Sequence, residues 1–99
     1  MSVTNMPAIH PGEILRDLYL EPLDMSAGAL AKQLNVPRTR IERIVTEKIG
    51  ITSDTALRLA RYFDTTPEFW MNLQTGYDLK VEAERMQDEI DRIPVHRAA

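Results

Sequence analysis

Arg38, Arg40 and Arg43, with Thr39 among them, put three guanidinium groups and a hydroxyl within two turns of one prospective helix. A guanidinium can bond guanine O6 and N7 together, or grip a phosphate. A threonine can meet a thymine methyl or bond a base. That chemistry reads a duplex and breaks no bond. Residues for catalysis are not assembled. The chain has no cysteine, and no nucleophile–base pair, phosphate loop or metal cluster stands out. The carboxylate pairs Glu82/Glu84 and Asp88/Glu89 fall on a charged helix with no pocket implied, so solvation explains them. His10 lies near a helix start and His96 in the tail, so neither a metal nor a cofactor is expected. Trp70 shares a helix with Phe69 and Leu73 and reads as core packing rather than a stacking platform for bases. The chain is not expected to be an enzyme.

The elements that must carry the arginines run from Ser26 to Lys48. Ser26 can cap a helix through its hydroxyl. Ala27, Leu30, Ala31 and Leu34 then recur three and four apart, on one face. Asn35-Val36 breaks the run, and Pro37 suits the first position of a second helix. On that helix Ile41, Ile44 and Val45 point inward. This is a helix-turn-helix layout, in which the second helix offers its tip to a groove. Arg38 and Thr39 at the tip, and Arg43 about a turn further, are expected at base edges. Arg40 points more sideways and is assigned to a phosphate, as are Ser26 with its helix-end amides, Lys32, Gln33 and Lys48.

The remaining pattern is also helical. Residues 1–9 carry no periodicity and read as a flexible N-terminus. His10-Pro11-Gly12-Glu13 opens a helix whose stripe is Ile14, Leu15, Leu18 and Tyr19; Pro22 stops it, and Leu23 and Met25 are expected to fold back into the core. A loop covers 47–51. Ser53 is expected to cap a helix with Ala56, Leu59, Ala60 and Phe63 inward. Thr66-Pro67-Glu68 starts another, with Phe69, Trp70 and Leu73 inward, and Gln74-Thr75-Gly76 predicts a bend. Leu79, Ala83, Met86, Ile90 and Ile93 then form a narrow apolar seam, which Pro94 ends. The seam could pack on the chain's own core or on another chain. No strand-like alternation occurs, so the fold is expected to be all-α: a helix-turn-helix domain over 10–74, an amphipathic helix over 75–93 and a tail over 94–99.

With 99 residues and 43% apolar content, one domain with a modest core is expected. No run approaches a membrane span and no signal pattern opens the chain, which reads as cytoplasmic. The net charge of −3 is unequally shared. Over 26–50, Lys32, Arg38, Arg40, Arg43 and Lys48 outnumber Glu42 and Glu47; over 64–92 acids dominate. A basic helix on an acidic body can hold phosphates while limiting non-specific binding. One helix-turn-helix makes too few contacts for strong specificity, so two copies about 34 Å apart on a palindrome are expected. Phe69, Leu73, Leu79, Met86 and Ile90 are the expected dimer or partner contacts, on the 66–74 helix, the 79–93 seam or both.

His-Pro-Gly-Glu-Ile-Leu at 10–15, Glu-Pro-Leu at 21–23, Ala-Leu-Ala at 29–31, Ala-Leu-Arg-Leu-Ala at 56–60 and Thr-Pro-Glu-Phe-Trp-Met-Asn-Leu-Gln at 66–74 resemble the HigA antitoxins. These are phage-repressor-like helix-turn-helix proteins, and the likeness spans roughly residues 9–80. The block at 66–74 is its most specific part. The resemblance implies a five-helix, lambda-repressor-like DNA-binding domain followed by the C-terminal amphipathic helix. It further implies a homodimer on operator DNA and a cognate HigB-type toxin, an mRNA endonuclease that the antitoxin neutralises. Relatives carry a glycine or a basic pair after the recognition helix; here Thr46-Glu47-Lys48-Ile49 leaves Lys48 alone to meet a phosphate, which predicts modest DNA affinity. Two other readings compete: a repressor without a toxin, and a protein adaptor that no longer binds DNA.

Overall fold

The computed structural model describes residues 7–97; part of the expected flexible N-terminus (1–6) and the last two residues of the expected tail lie outside them. Among the described residues there are five helices and no strand. Helix α1 opens as Pro11–Ile14 and continues without interruption as a π-helical stretch, Leu15–Leu20. His10 caps it, its Nδ1 accepting from the Gly12 amide at 2.9 Å. The wide turn is visible in the Glu21 amide donating to the Arg16 carbonyl (3.0 Å) and the Met25 amide to Leu20 (2.9 Å). Residues five apart therefore stack, so Leu15 and Leu20 are both buried. Leu18, expected inward on a 3.6-residue period, is rotated outward and 63% exposed. Leu23 is also outside, 56% exposed on the turn that Asp24 closes with φ 51°, whereas Met25 packs against the core as expected.

Helix α2 spans Ala27–Leu34, with the Ser26 hydroxyl accepting from the Ala29 amide at 3.0 Å. Asn35 ends it in the left-handed region (φ 60°). Pro37 is not yet helical: its ψ of 142° keeps it extended, and α3 begins one residue later, as Arg38–Val45. Helix α4 is Ser53–Phe63. Its cap is Thr52 rather than Ser53, because burial of Ile51 fixes the chain there and the Thr52 carbonyl starts the ladder to Ala56 (2.8 Å). Helix α5 runs Pro67–Asp91, capped by Thr66, whose hydroxyl accepts from the Phe69 amide at 3.1 Å.

The bend expected at 74–76 is absent; α5 is continuous over 25 residues, about 37 Å at the usual rise. Gly76 alone costs only about 1 kcal/mol relative to alanine. Gln74 braces the helix instead: its Oε1 accepts from the Ile51 amide at 2.6 Å and its Nε2 donates to Asp78 at 2.9 Å. The first half of α5 closes the bundle through Trp70, fully buried, with Nε1 donating to the Thr65 hydroxyl at 2.8 Å. Leu73 packs on this core, and Phe69, expected inward, lies at its margin, edge-on to Trp70 at 5.0 Å. The second half projects, which makes the molecule 56 Å long against 25 and 21 Å across. Its seam lies open within this chain: Leu79 is 65% and Ile90 48% exposed. Ile93 lies beyond the helix end at Asp91. No helix among the described residues is long and apolar enough to cross a membrane.

The core joins all five helices through Leu15, Leu20, Leu30, Ala31, Leu34, Ile41, Ile44, Ile51, Ala56, Leu59, Ala60 and Trp70. Helices α1 and α3 touch backbone to backbone at Gly12, where an added Cβ would overlap the Ile44 carbonyl oxygen. Neither side can yield by rotating a bond. Gly12→Ala should therefore lower stability by about 3 kcal/mol or more, read as a fall in the urea midpoint. A Gly76→Ala control, where a Cβ meets nothing within 4 Å, should be neutral or slightly stabilising.

Candidate nucleic-acid interface

Helix α3 is held from beneath and at both ends. Ile41 and Ile44 are fully buried under it. At its C-terminal end Arg16 donates to the Val45 carbonyl at 2.7 Å and reaches Glu47 at 3.4 Å. The amides of Lys48 and Ile49 return to the Arg43 carbonyl at 2.8 and 3.3 Å, so the loop folds against the same end. Toward the other end, Arg40 donates to the Asp54 carboxylate at 2.8 Å. The same Oδ1 of Asp54 accepts from Arg58 Nε at 2.8 Å, and Arg58 also donates to the Leu34 carbonyl at 2.9 Å. One carboxylate on α4 thus ties α3 to the end of α2. The hydrogen bond from Arg58, then that from Arg40, holds the Asp54 carboxyl below its ordinary range.

With its inner face fixed, α3 turns Arg38, Thr39 and Arg43 to the surface. The Arg38 side chain is 72% exposed and meets Glu42, one turn on, at 3.3 Å. Arg43 makes no ion pair among the described residues. The stem of Arg38 lies across Gly28 of α2: a Cβ there would sit 2.9 Å from Arg38 Cδ and 4.0 Å from the Ser26 hydroxyl. Ser26, the start of α2 and the tip of α3 are therefore one continuous surface. Lys32 and Gln33 are exposed on α2 and Lys48 just past α3. Arg40 is the exception among the arginines, drawn onto Asp54 with 35% of its side chain exposed.

The other expected contacts lie elsewhere. Phe69 and Leu73 belong to the bundle end of α5, while Leu79, Met86 and Ile90 line an apolar groove with Glu82 and Ala83 on its projecting half. Among the described residues no group of histidines and carboxylates could hold a metal ion. His10 is the buried cap of α1 and packs edge-on to Tyr77 at 4.9 Å. Sequence reasoning missed Arg16, Asp54 and Arg58 as the groups that seat α3. The four-residue spacing of Asp54 and Arg58 was a readable signal. Nothing marked Arg16, 29 positions from its acceptor.

The sequence profile of the helix-turn-helix family matches residues 15–70. Virulence-associated protein I of Dichelobacter nodosus is 58% identical over 83% of this chain and 76% of its own length. Antitoxin HigA-1 of Vibrio cholerae is 33% identical over 90% of this chain and 84% of its own. Among solved structures, the Pseudomonas aeruginosa antitoxin HigA with higBA promoter superposes with a TM-score of 0.85 at 46% identity, covering 88% of this chain and 96% of that one.

The Asp54 junction has a pH signature. A carboxyl whose pKa is lowered by folding contributes stability above its unfolded value, near pH 4, and loses it as the pH falls through the folded value. Thermal melts from pH 6 to pH 2 should show wild type losing stability more steeply in acid than Asp54→Asn. Parallel curves would rule the junction out as a source of that dependence.

Proposed function

Because the chain belongs to the HigA family of helix-turn-helix proteins, we propose that it is an antitoxin that binds palindromic operator DNA as a homodimer and represses its own operon. In this reading it also neutralises a HigB-type mRNA endonuclease. The supporting observation is the surface of α3: a helix pinned at both ends, with Arg38, Thr39 and Arg43 facing outward. The Pseudomonas aeruginosa relative, solved with higBA promoter, supports the choice of duplex DNA.

In this reading α3 enters the major groove and Arg38, Thr39 and Arg43 meet base edges. Ser26 with the first amides of α2, Lys32, Gln33, Arg40 and Lys48 hold phosphates around it. A helix that protrudes needs no induced opening before it docks. A second copy is required for specificity, and the exposed Leu79 and Ile90 with the half-buried Met86 are where it would pack, with Phe69 at the edge of that surface. Leu73 is occupied by this chain's own core and contributes less.

Binding to the DNA upstream of the gene, read by fluorescence anisotropy, tests the site. Arg38→Ala and Arg43→Ala should each cost about 1–3 kcal/mol, and together abolish specific binding. Lys48→Ala should weaken all sequences alike and reduce the salt slope by about 1. Unchanged affinity in the double variant would exclude α3 as the reading helix, and no binding by the wild type would leave the adaptor. Leu79→Asp with Ile90→Asp should yield a folded monomer by sedimentation and cut operator affinity. Co-purification with, and rescue of growth from, the product of the adjacent gene tests the toxin half; failure of both leaves a repressor without a toxin.

A further inference from the structure

Asp54 is an anion set beside a surface assigned to phosphates, and the reading above gives it no task. Its side chain is 54% exposed, so burial does not force its pairing. Yet one of its oxygens accepts from two arginines at 2.8 Å each, Arg40 of α3 and Arg58 of α4. Arg58 is committed further, to the Leu34 carbonyl at 2.9 Å. It therefore acts as a fixed strut that holds the carboxylate in place. Arg40 donates to Asp54 through one nitrogen, its Nη1. A guanidinium has five N–H donors in a rigid fork, so most of Arg40 stays available. The local charge of two guanidinium groups and one carboxylate is still positive, so the site favours an anion. Thr52 and Ser53, exposed at the start of α4, adjoin it in the chain, and the Thr52 side chain makes no cap bond there.

Resting on the DNA-binding reading, we propose that Asp54 is a positioning residue for operator recognition: it immobilises Arg40 so that the free edge of the guanidinium is presented to a backbone phosphate. An arginine that is already ordered loses less freedom on binding than one that sweeps through its rotamers. The phosphate contact also fixes the register of α3 in the groove, because Asp54 links Arg40 to both α4 and the end of α2.

The sign of one substitution separates this from simple electrostatics. Removing a negative charge near DNA should by itself strengthen binding. A positioning role predicts the reverse for Asp54→Asn: operator affinity falls about tenfold, and affinity for unrelated duplex, on which α3 has no fixed register, falls less. The salt slope on the operator should fall by about 1, as Arg40 drops out of the contact. In an Arg40→Ala background the same change should alter affinity less than twofold. Stronger operator binding by Asp54→Asn overturns the proposal. So does an equal loss on operator and unrelated duplex that persists without Arg40, because it marks a role in folding alone; circular dichroism melts on the same samples show that loss directly. Failure of the wild type to bind any upstream fragment is a different result and refutes the DNA-binding reading itself.

Discussion

Backbone contact between Gly12 and the Ile44 carbonyl sets how deeply α3 sits on α1, and the rest of the interface inherits that depth. Two helices approach this closely only where one of them has no side chain in the way. Gly28 offers the contrast: its near neighbour is the far end of Arg38, which can swing aside. At Gly12 the obstacle is main chain, and main chain cannot move without shifting the helix. Once α3 is seated there, the Val45 carbonyl falls within reach of Arg16, and Arg40 falls beside Asp54. Of the two polar ties, Arg16 to the Val45 carbonyl is part-buried and Arg40 to Asp54 is exposed, and each is individually modest. They set the orientation of a helix whose position the glycine has already set.

Much of this architecture was legible because local signals agreed with the global fold. Ser26 and Thr66 cap helices as their types dictate, and Ala56, Leu59 and Ala60 are buried on the face their spacing gives. The departures share a cause: in each, the packed structure overrides a local rule. Leu18 is exposed because the π-helical stretch changes the period, and apolar spacing alone assumes 3.6. The bend at Gly76 is missing because Gln74 reaches 23 positions back to Ile51. The caps of α3 and α4 are displaced by one residue, by an extended Pro37 and by burial of Ile51. Helix formers and breakers are written locally; their override is tertiary.

The candidate site was readable as a set of residue types and much less as a set of relationships. That Arg38, Thr39 and Arg43 share the exposed side of α3 follows from their spacing around Ile41 and Ile44. That Arg38 lies across Gly28, and so beside Ser26, needs the crossing of α2 and α3. Arg40 shows the limit most clearly. Its sideways direction was legible, but its partner lies on the next helix, and the 14 positions between them carry no pattern. Pairing changes its chemistry from a free cation to an oriented one, and no composition or net charge reports that.

Charge segregation gives the projecting half of α5 its meaning. Cations outnumber acids over α2, α3 and the loop that follows, whereas along α5 Asp78, Glu82, Glu84, Asp88, Glu89 and Asp91 outnumber Lys80 and Arg85. A net negative chain can then present a locally positive face, and in the proposed complex the acidic helix is repelled by the same phosphates that attract α3. That repulsion favours arrangements in which α5 points away from the duplex. It leaves the groove of Leu79, Ala83, Met86 and Ile90 in water, an apolar surface that the described residues leave open. In the proposed dimer a second copy answers both needs at once: it removes that surface from water and supplies the second reading helix. The hydrophobic term that joins the copies and the electrostatic term that orients them on DNA then act on opposite ends of the molecule, and neither has to be weakened to accommodate the other.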